Sequence, residues 1–133
     1  MSTKKRIFIS YDFDEDRHYR NLLTAWDVND LFDFEFYDAS LKIAVDSENA
    51  TYVRSVIKPK ILRSTHLLCI VGEKASTSSW INWEIEKAIE AKKKLIAVKL
   101  RSTNTTPTKL LGAGATWAMS FTFDAIKKAV DSA

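Results

Sequence analysis

The stretch His66-Leu67-Leu68-Cys69-Ile70-Val71, closed by Gly72, constrains the fold of this chain more than any other. It shows no polar alternation, so both faces of the strand it predicts are covered, which is the situation of a central strand in a parallel sheet. Parallel neighbours cannot be joined by a tight hairpin and need crossover segments of about a dozen residues or more, usually helices. A chain with such a strand is expected to alternate strands and helices.

The remaining sequence meets that expectation. Arg6 to Tyr11 is a β-branched and aromatic run that predicts a buried first strand, followed by Asp12, Asp14 and Asp16. Between Glu15 and Val28 the apolar residues Tyr19, Leu22, Leu23 and Trp26 recur at helical spacing. Phe32 to Tyr37 alternates apolar and acidic residues, as an edge strand with one wet face would. Asp38 to Ser47 reads as a loop, and Asp46 or Ser47 is placed to cap a helix over Glu48 to Ile57. Pro59 lacks an N–H and its ring clashes with the preceding turn, so a break or a second short turn is expected there. Leu95 to Leu100 gives a fourth strand, Arg101 to Thr108 a polar surface loop, and Thr116 to Phe121 a short fifth strand. Thr122 caps a last helix with Phe123, Ile126 and Val130 on one side. Right-handed crossovers then predict a single α/β domain over residues 1–133, with a flavodoxin-like sheet of about five strands, order 2-1-3-4-5, and helices on both faces. In such a sheet ligands bind outside the carboxyl ends of strands one and three.

Several chemistries are excluded. Three glycines, Gly72, Gly112 and Gly114, provide neither a dinucleotide-binding turn nor a phosphate-binding loop. His18 and His66 stand alone and Cys69 lies mid-strand, so no metal site is expected. No serine sits in a hydrolase elbow. A phosphoacceptor receiver domain has the same architecture, but it needs an aspartate at the end of strand three, where this chain has Val71-Gly72. The net charge of +3 comes from scattered basic groups, which argues against nucleic acid as a partner. One cysteine, no apolar leader and no run of about eighteen apolar residues lead to the expectation of a cytoplasmic protein without a membrane segment.

The most informative functional stretch is Ser76-Thr77-Ser78-Ser79-Trp80-Ile81-Asn82-Trp83-Glu84. Ser78 or Ser79 is placed to cap a helix starting at Trp80 and running to about Lys93. At about 100° per residue, Ile81, Ile85, Ala88 and Ile89 form its inward stripe and Glu84 borders it. Glu86 and Glu90 point outward, with Glu90 able to pair with Lys93 or Lys94. Glu84 is therefore the one carboxylate of this helix near the expected ligand edge.

Three motifs, Phe-Ile-Ser-Tyr-Asp at 8–12, Tyr-Asp-Ala-Ser-Leu at 37–41, and the run from Cys69 through the hydroxyl residues and Trp80 to Glu84, together resemble the TIR-like proteins of the bacterial Thoeris anti-phage system. The similarity extends over roughly Arg6 to Leu100. It implies NAD as substrate, no separate cofactor, and Glu84 as the catalytic residue. It also implies a product related to cyclic ADP-ribose that activates a separate effector protein, with self-association a further expectation. Ser10, Tyr11, Asp12, Asp38, Ser40, Ser76, Trp80 and Trp83 are the substrate-binding candidates, with Tyr11, Trp80 and Trp83 as stacking walls and Ser40 and Ser76 as donors. Structural roles stand beside these: tryptophans at a helix start fill the rim of a core, Asp12 and Asp38 form turns, and the serines cap a helix whatever the function. Two other functional classes stay open, a TIR interaction module without chemistry and a nucleoside N-glycosyl transferase of similar fold.

Overall fold

The computed structural model of the chain describes residues 5–28, 35–37 and 50–133. Among the described residues five strands alternate with four helices. They are β1 (Arg6–Ser10), α1 (Phe13–Val28), β2 (Glu35–Tyr37), α2 (Ala50–Arg63), β3 (His66–Val71), α3 (Ser79–Glu90), β4 (Lys94–Lys99), β5 (Thr116–Ala118) and α4 (Phe123–Ser132). Short 3-10 turns at Ala75–Thr77 and Thr108–Leu110 precede α3 and β5. All pairings are parallel and the order is β2-β1-β3-β4-β5, as the sequence predicts. Ser10 at the end of β1 stands opposite Cys69 of β3.

The alternation of side chains along the strands builds two cores. Phe8, Leu67, Cys69, Val71, Leu95 and Ala97 face α2 and α3, whereas Ile7, Ile9, Leu68, Ile70, Ile96 and Val98 face α1 and α4. Every residue of β3 is buried, which accounts for its unbroken apolar run. Lys5 Nζ ties the start of β1 to the end of α4 by donating to the carbonyls of Val130 at 2.7 Å and Ala133 at 3.2 Å.

Four local expectations need correction. α2 does not break at Pro59 but runs through it to Arg63. Pro59 is exposed, so the lost amide donor lies on the solvent side, while Ile57 and Ile61 on the buried side hold the helix to the sheet. α3 ends at Glu90, short of Lys93, because Lys92 adopts a left-handed backbone with φ 59°. That turn carries Lys93 away from the helix, where its Nζ donates to the Leu62 carbonyl at 2.9 Å, and Glu90 pairs with Lys87 at 2.9 Å instead. Ile89 is 41% exposed and outside the inward stripe. The expected loop at Asp38 to Ser47 and its capping residues lie outside the described residues.

Candidate active site

α3 begins at Ser79, one residue before the predicted Trp80. Ser78 is its N-cap, with an extended backbone and a hydroxyl oxygen that accepts from the Ile81 N–H at 3.2 Å. Ahead of it the 3-10 turn Ala75–Thr77 is held by Asn82, whose Nδ2 donates to the carbonyls of Ser76 at 3.3 Å and Ser78 at 2.9 Å. Ser76 thus contributes a backbone acceptor to this turn. Asn82 is a residue the motif reading passed over, and its signal is its place at the end of the first turn of a helix preceded by three hydroxyl residues.

The Ile81, Ile85 and Ala88 stripe seats α3 on the sheet, and Glu84 comes down with it. Each buried isoleucine contributes roughly 1.5–3 kcal/mol, so the pair matches or exceeds the ~1–3 kcal/mol of an incompletely compensated buried polar group. Glu84 is 8% exposed and Ser10 fully buried, and Ser10 Oγ donates to Glu84 Oε1 at 2.7 Å. Burial pushes the Glu84 carboxyl up to about 8, and the Ser10 hydrogen bond opposes that rise. Near neutral pH burial therefore favours the protonated form of Glu84. A cationic substrate beside it would favour the carboxylate.

The aromatic candidates separate into two groups. Trp80 and Trp83 are half-buried, pack edge-to-face with ring centroids 5.6 Å apart, and cover the α2/α3 core. Arg54 of α2 lies 5.4 Å over the Trp80 ring, and Lys87 lies 5.9 Å over Trp83. Tyr11 packs instead with the α1/α4 core, with the Arg20 guanidinium 5.8 Å above its ring. The three rings thus sit on opposite sides of the sheet and form no single wall. Asp12 directly precedes α1, and its carbonyl accepts from the Asp16 N–H at 2.8 Å, which is the helix-start role. Asp38 and Ser40 lie outside the described residues.

A second buried carboxylate flanks the same edge. Asp16, in the first turn of α1, packs against Gly72 just after β3, and its carboxylate fills the space that a Cβ on Gly72 would take. Gly72 is thus required by close approach, not by a left-handed backbone. Between the two carboxylates lies Cys69, whose thiol is pushed up by burial first and then by Glu84 and Asp16, so it is inert as a nucleophile. On the α1 side a groove of about 520 Å³ opens between Asp16, Tyr19, Glu73 and Arg101. It is polar and open and does not include Glu84, whose burial and hydrogen bond make it the stronger focus for chemistry. Among the described residues no cluster of acidic, histidine or cysteine side chains is arranged to hold a metal ion, and no helix is long and apolar enough to cross a membrane.

Residues 8–105 match the sequence model of the Thoeris protein ThsB, TIR-like domain. The chain belongs to this family. The TIR-like match begins at Phe8 in β1 and covers the Ser10 and Glu84 pair, the capped start of α3 and the loop after β4. Among 16 matching chains of solved structures is the Clostridium botulinum CMP N-glycosidase BcmB, with a TM-score of 0.65 and 14% identity over 96% of this chain and 98% of that one. At that identity the likeness is one of fold. No curated protein matches the sequence.

Proposed function

We propose that this TIR-like protein cleaves the nicotinamide–ribose bond of NAD and that Glu84 is its catalytic residue. The observation that carries the reading is the buried Glu84 carboxylate at the β1/β3 edge, hydrogen-bonded by Ser10 and placed one turn into the helix after β3. In NAD the leaving group is already cationic. When the C1′–N bond breaks, its electron pair neutralises the nicotinamide ring and no general acid is needed, unlike most glycosides, where two carboxylates share the work. Glu84 as carboxylate stabilises the positive charge that develops on the ribosyl carbon. A hydroxyl of the same substrate, or water, then takes that carbon and loses its proton. Capture by the substrate's own hydroxyl gives a cyclic ADP-ribose-type product, and exclusion of water by Trp80 and Trp83 favours it. In a Thoeris setting the product acts as a messenger that switches on a separate effector protein.

The reading is tested by following nicotinamide release from NAD, with protein taken from phage-challenged as well as resting cells. Glu84→Gln should abolish release, and mass spectrometry of the products distinguishes a cyclic from a linear ADP-ribose. A Glu84→Gln protein that still protects cells would favour an interaction module without chemistry. A second reading, N-glycosidic cleavage of a nucleotide such as CMP, draws on the fold shared with the CMP N-glycosidase. Release of cytosine from CMP with no release of nicotinamide from NAD would select it.

A further inference from the structure

We infer that Ser10 is a positioning residue that acts on Glu84 and not on substrate. The inference rests on the NAD-cleavage reading for its kinetic consequences, though not for its geometry. The family resemblance puts Ser10 among residues that touch the ligand, but its side chain is fully buried beneath α3 and its hydroxyl donates 2.7 Å to Glu84 Oε1. Its place explains this. Ser10 is the last residue of β1 and has the same facing as Phe8, so its Oγ enters the α2/α3 core beside Cys69, where a hydroxyl needs a partner. Glu84 provides that partner.

Position on α3 reinforces the argument. At about 100° per residue, Glu84 and Ile89 flank the Ile81–Ile85–Ala88 stripe by equal angles, about 40° each. The apolar residue nevertheless faces solvent and the carboxyl group is buried. Hydrophobicity alone would favour the opposite roll, and the polar group that Glu84 meets in the core is Ser10. The hydrogen bond therefore fixes which edge of the stripe turns inward and where the carboxylate points.

The surrounding charged groups do not replace Ser10. From β3 the Cys69 thiol faces Glu84 and is kept neutral by burial and by Glu84 and Asp16, the latter on α1. From α2, Arg54 is engaged over Trp80, and from the 3-10 turn before β5, Lys109 lies 4.0 Å from Glu86. On α3 itself, Lys87 pairs with Glu90. The Glu84 pKa answers to burial and then to the Ser10 bond.

The test is Ser10→Ala in the whole chain, with two readouts. The first is the pH profile of nicotinamide release, resolved into kcat and KM. The second is the titration of the Glu84 side chain by carbon-13 NMR, with its signal assigned by its loss in Glu84→Gln. At pH 7 kcat should fall roughly ten- to a hundredfold, the worth of a hydrogen bond to a charged group, with KM within about twofold. The Glu84 midpoint should rise by about one pH unit, because the lost bond favoured the carboxylate, so the activity limb moves to higher pH. Ser10→Thr, which keeps the hydroxyl, should restore both. If Ser10→Ala does not fold, Ser10→Cys, similar in size and a weak donor, carries the same expectation. A raised KM with an unchanged Glu84 midpoint overturns the inference and returns Ser10 to the substrate. If even the unaltered protein releases no nicotinamide, the NAD reading fails by itself, and the NMR midpoint alone decides for or against Ser10.

Discussion

At the scale of single residues, Glu84 is both the proposed catalyst and a burden on the fold. Its carboxyl group titrates near 8 when folded against an ordinary value of 4.5, so the folded state binds the proton more tightly than the unfolded chain. Its contribution is therefore undiminished below pH 4.5, and stability is lost as pH rises from there to about 8. Glu84→Gln removes this dependence and should stabilise the protein by roughly 1–3 kcal/mol at pH 8–9, and hardly at pH 5. Thermal melts of both proteins across that range check the sign, and a Gln variant less stable at pH 9 would refute it. Gly72 provides a second case. Gly72→Ala places a methyl group in the space held by the Asp16 carboxylate and should destabilise by about 1–3 kcal/mol. In an Asp16→Ala background the penalty should shrink, so a double-mutant cycle that came out additive would show the two not to be coupled.

At the scale of elements, the sequence showed what periodicity and capping chemistry can show. Ser78 and Thr122 cap α3 and α4 because an oxygen-bearing side chain preceded each apolar stripe. β3 was legible because a strand covered on both faces leaves an unbroken apolar run. What was not legible followed from tertiary choice. The pattern of α3 placed Ile89 in the inward stripe and Glu84 at its border, and the structure reverses the two, with the Ser10 hydroxyl, seventy-four residues away in the chain, as the polar partner that Glu84 meets in the core. Pro59 was read by its intrinsic cost, about 3 kcal/mol in a helix interior, but two buried isoleucines on the opposite side of α2 offset it. Pro59→Ala should consequently stabilise the protein. The restored amide gains up to ~3 kcal/mol and the more flexible unfolded chain takes back about 0.4–1 kcal/mol. Chemical denaturation would show this as a higher midpoint at unchanged slope, and a lower midpoint would mean that the proline fits its turn without strain.

At the scale of the whole molecule, a parallel sheet between two helical layers brings one carboxylate from each layer to the same edge, Glu84 from the α2/α3 side and Asp16 from the α1/α4 side. The motif from Cys69 to Glu84 identified the first. Nothing in the sequence singles Asp16 out from Asp12 and Asp14, because its distinction lies in the missing side chain of Gly72, more than fifty residues further on. The central strand between them carries the chain's one thiol, fully enclosed at Cys69. The protein thus has an internal chemical clock. A thiol reagent reaches Cys69 only when the layers part, so its modification under native conditions should be on the order of a thousandfold or more slower than that of a free thiol and should accelerate with denaturant. Labelling at the free-thiol rate without denaturant would mean that the sheet opens locally at this edge. Because that clock lies beside Glu84, its slowing by a bound molecule would register occupancy of the site even where no turnover takes place.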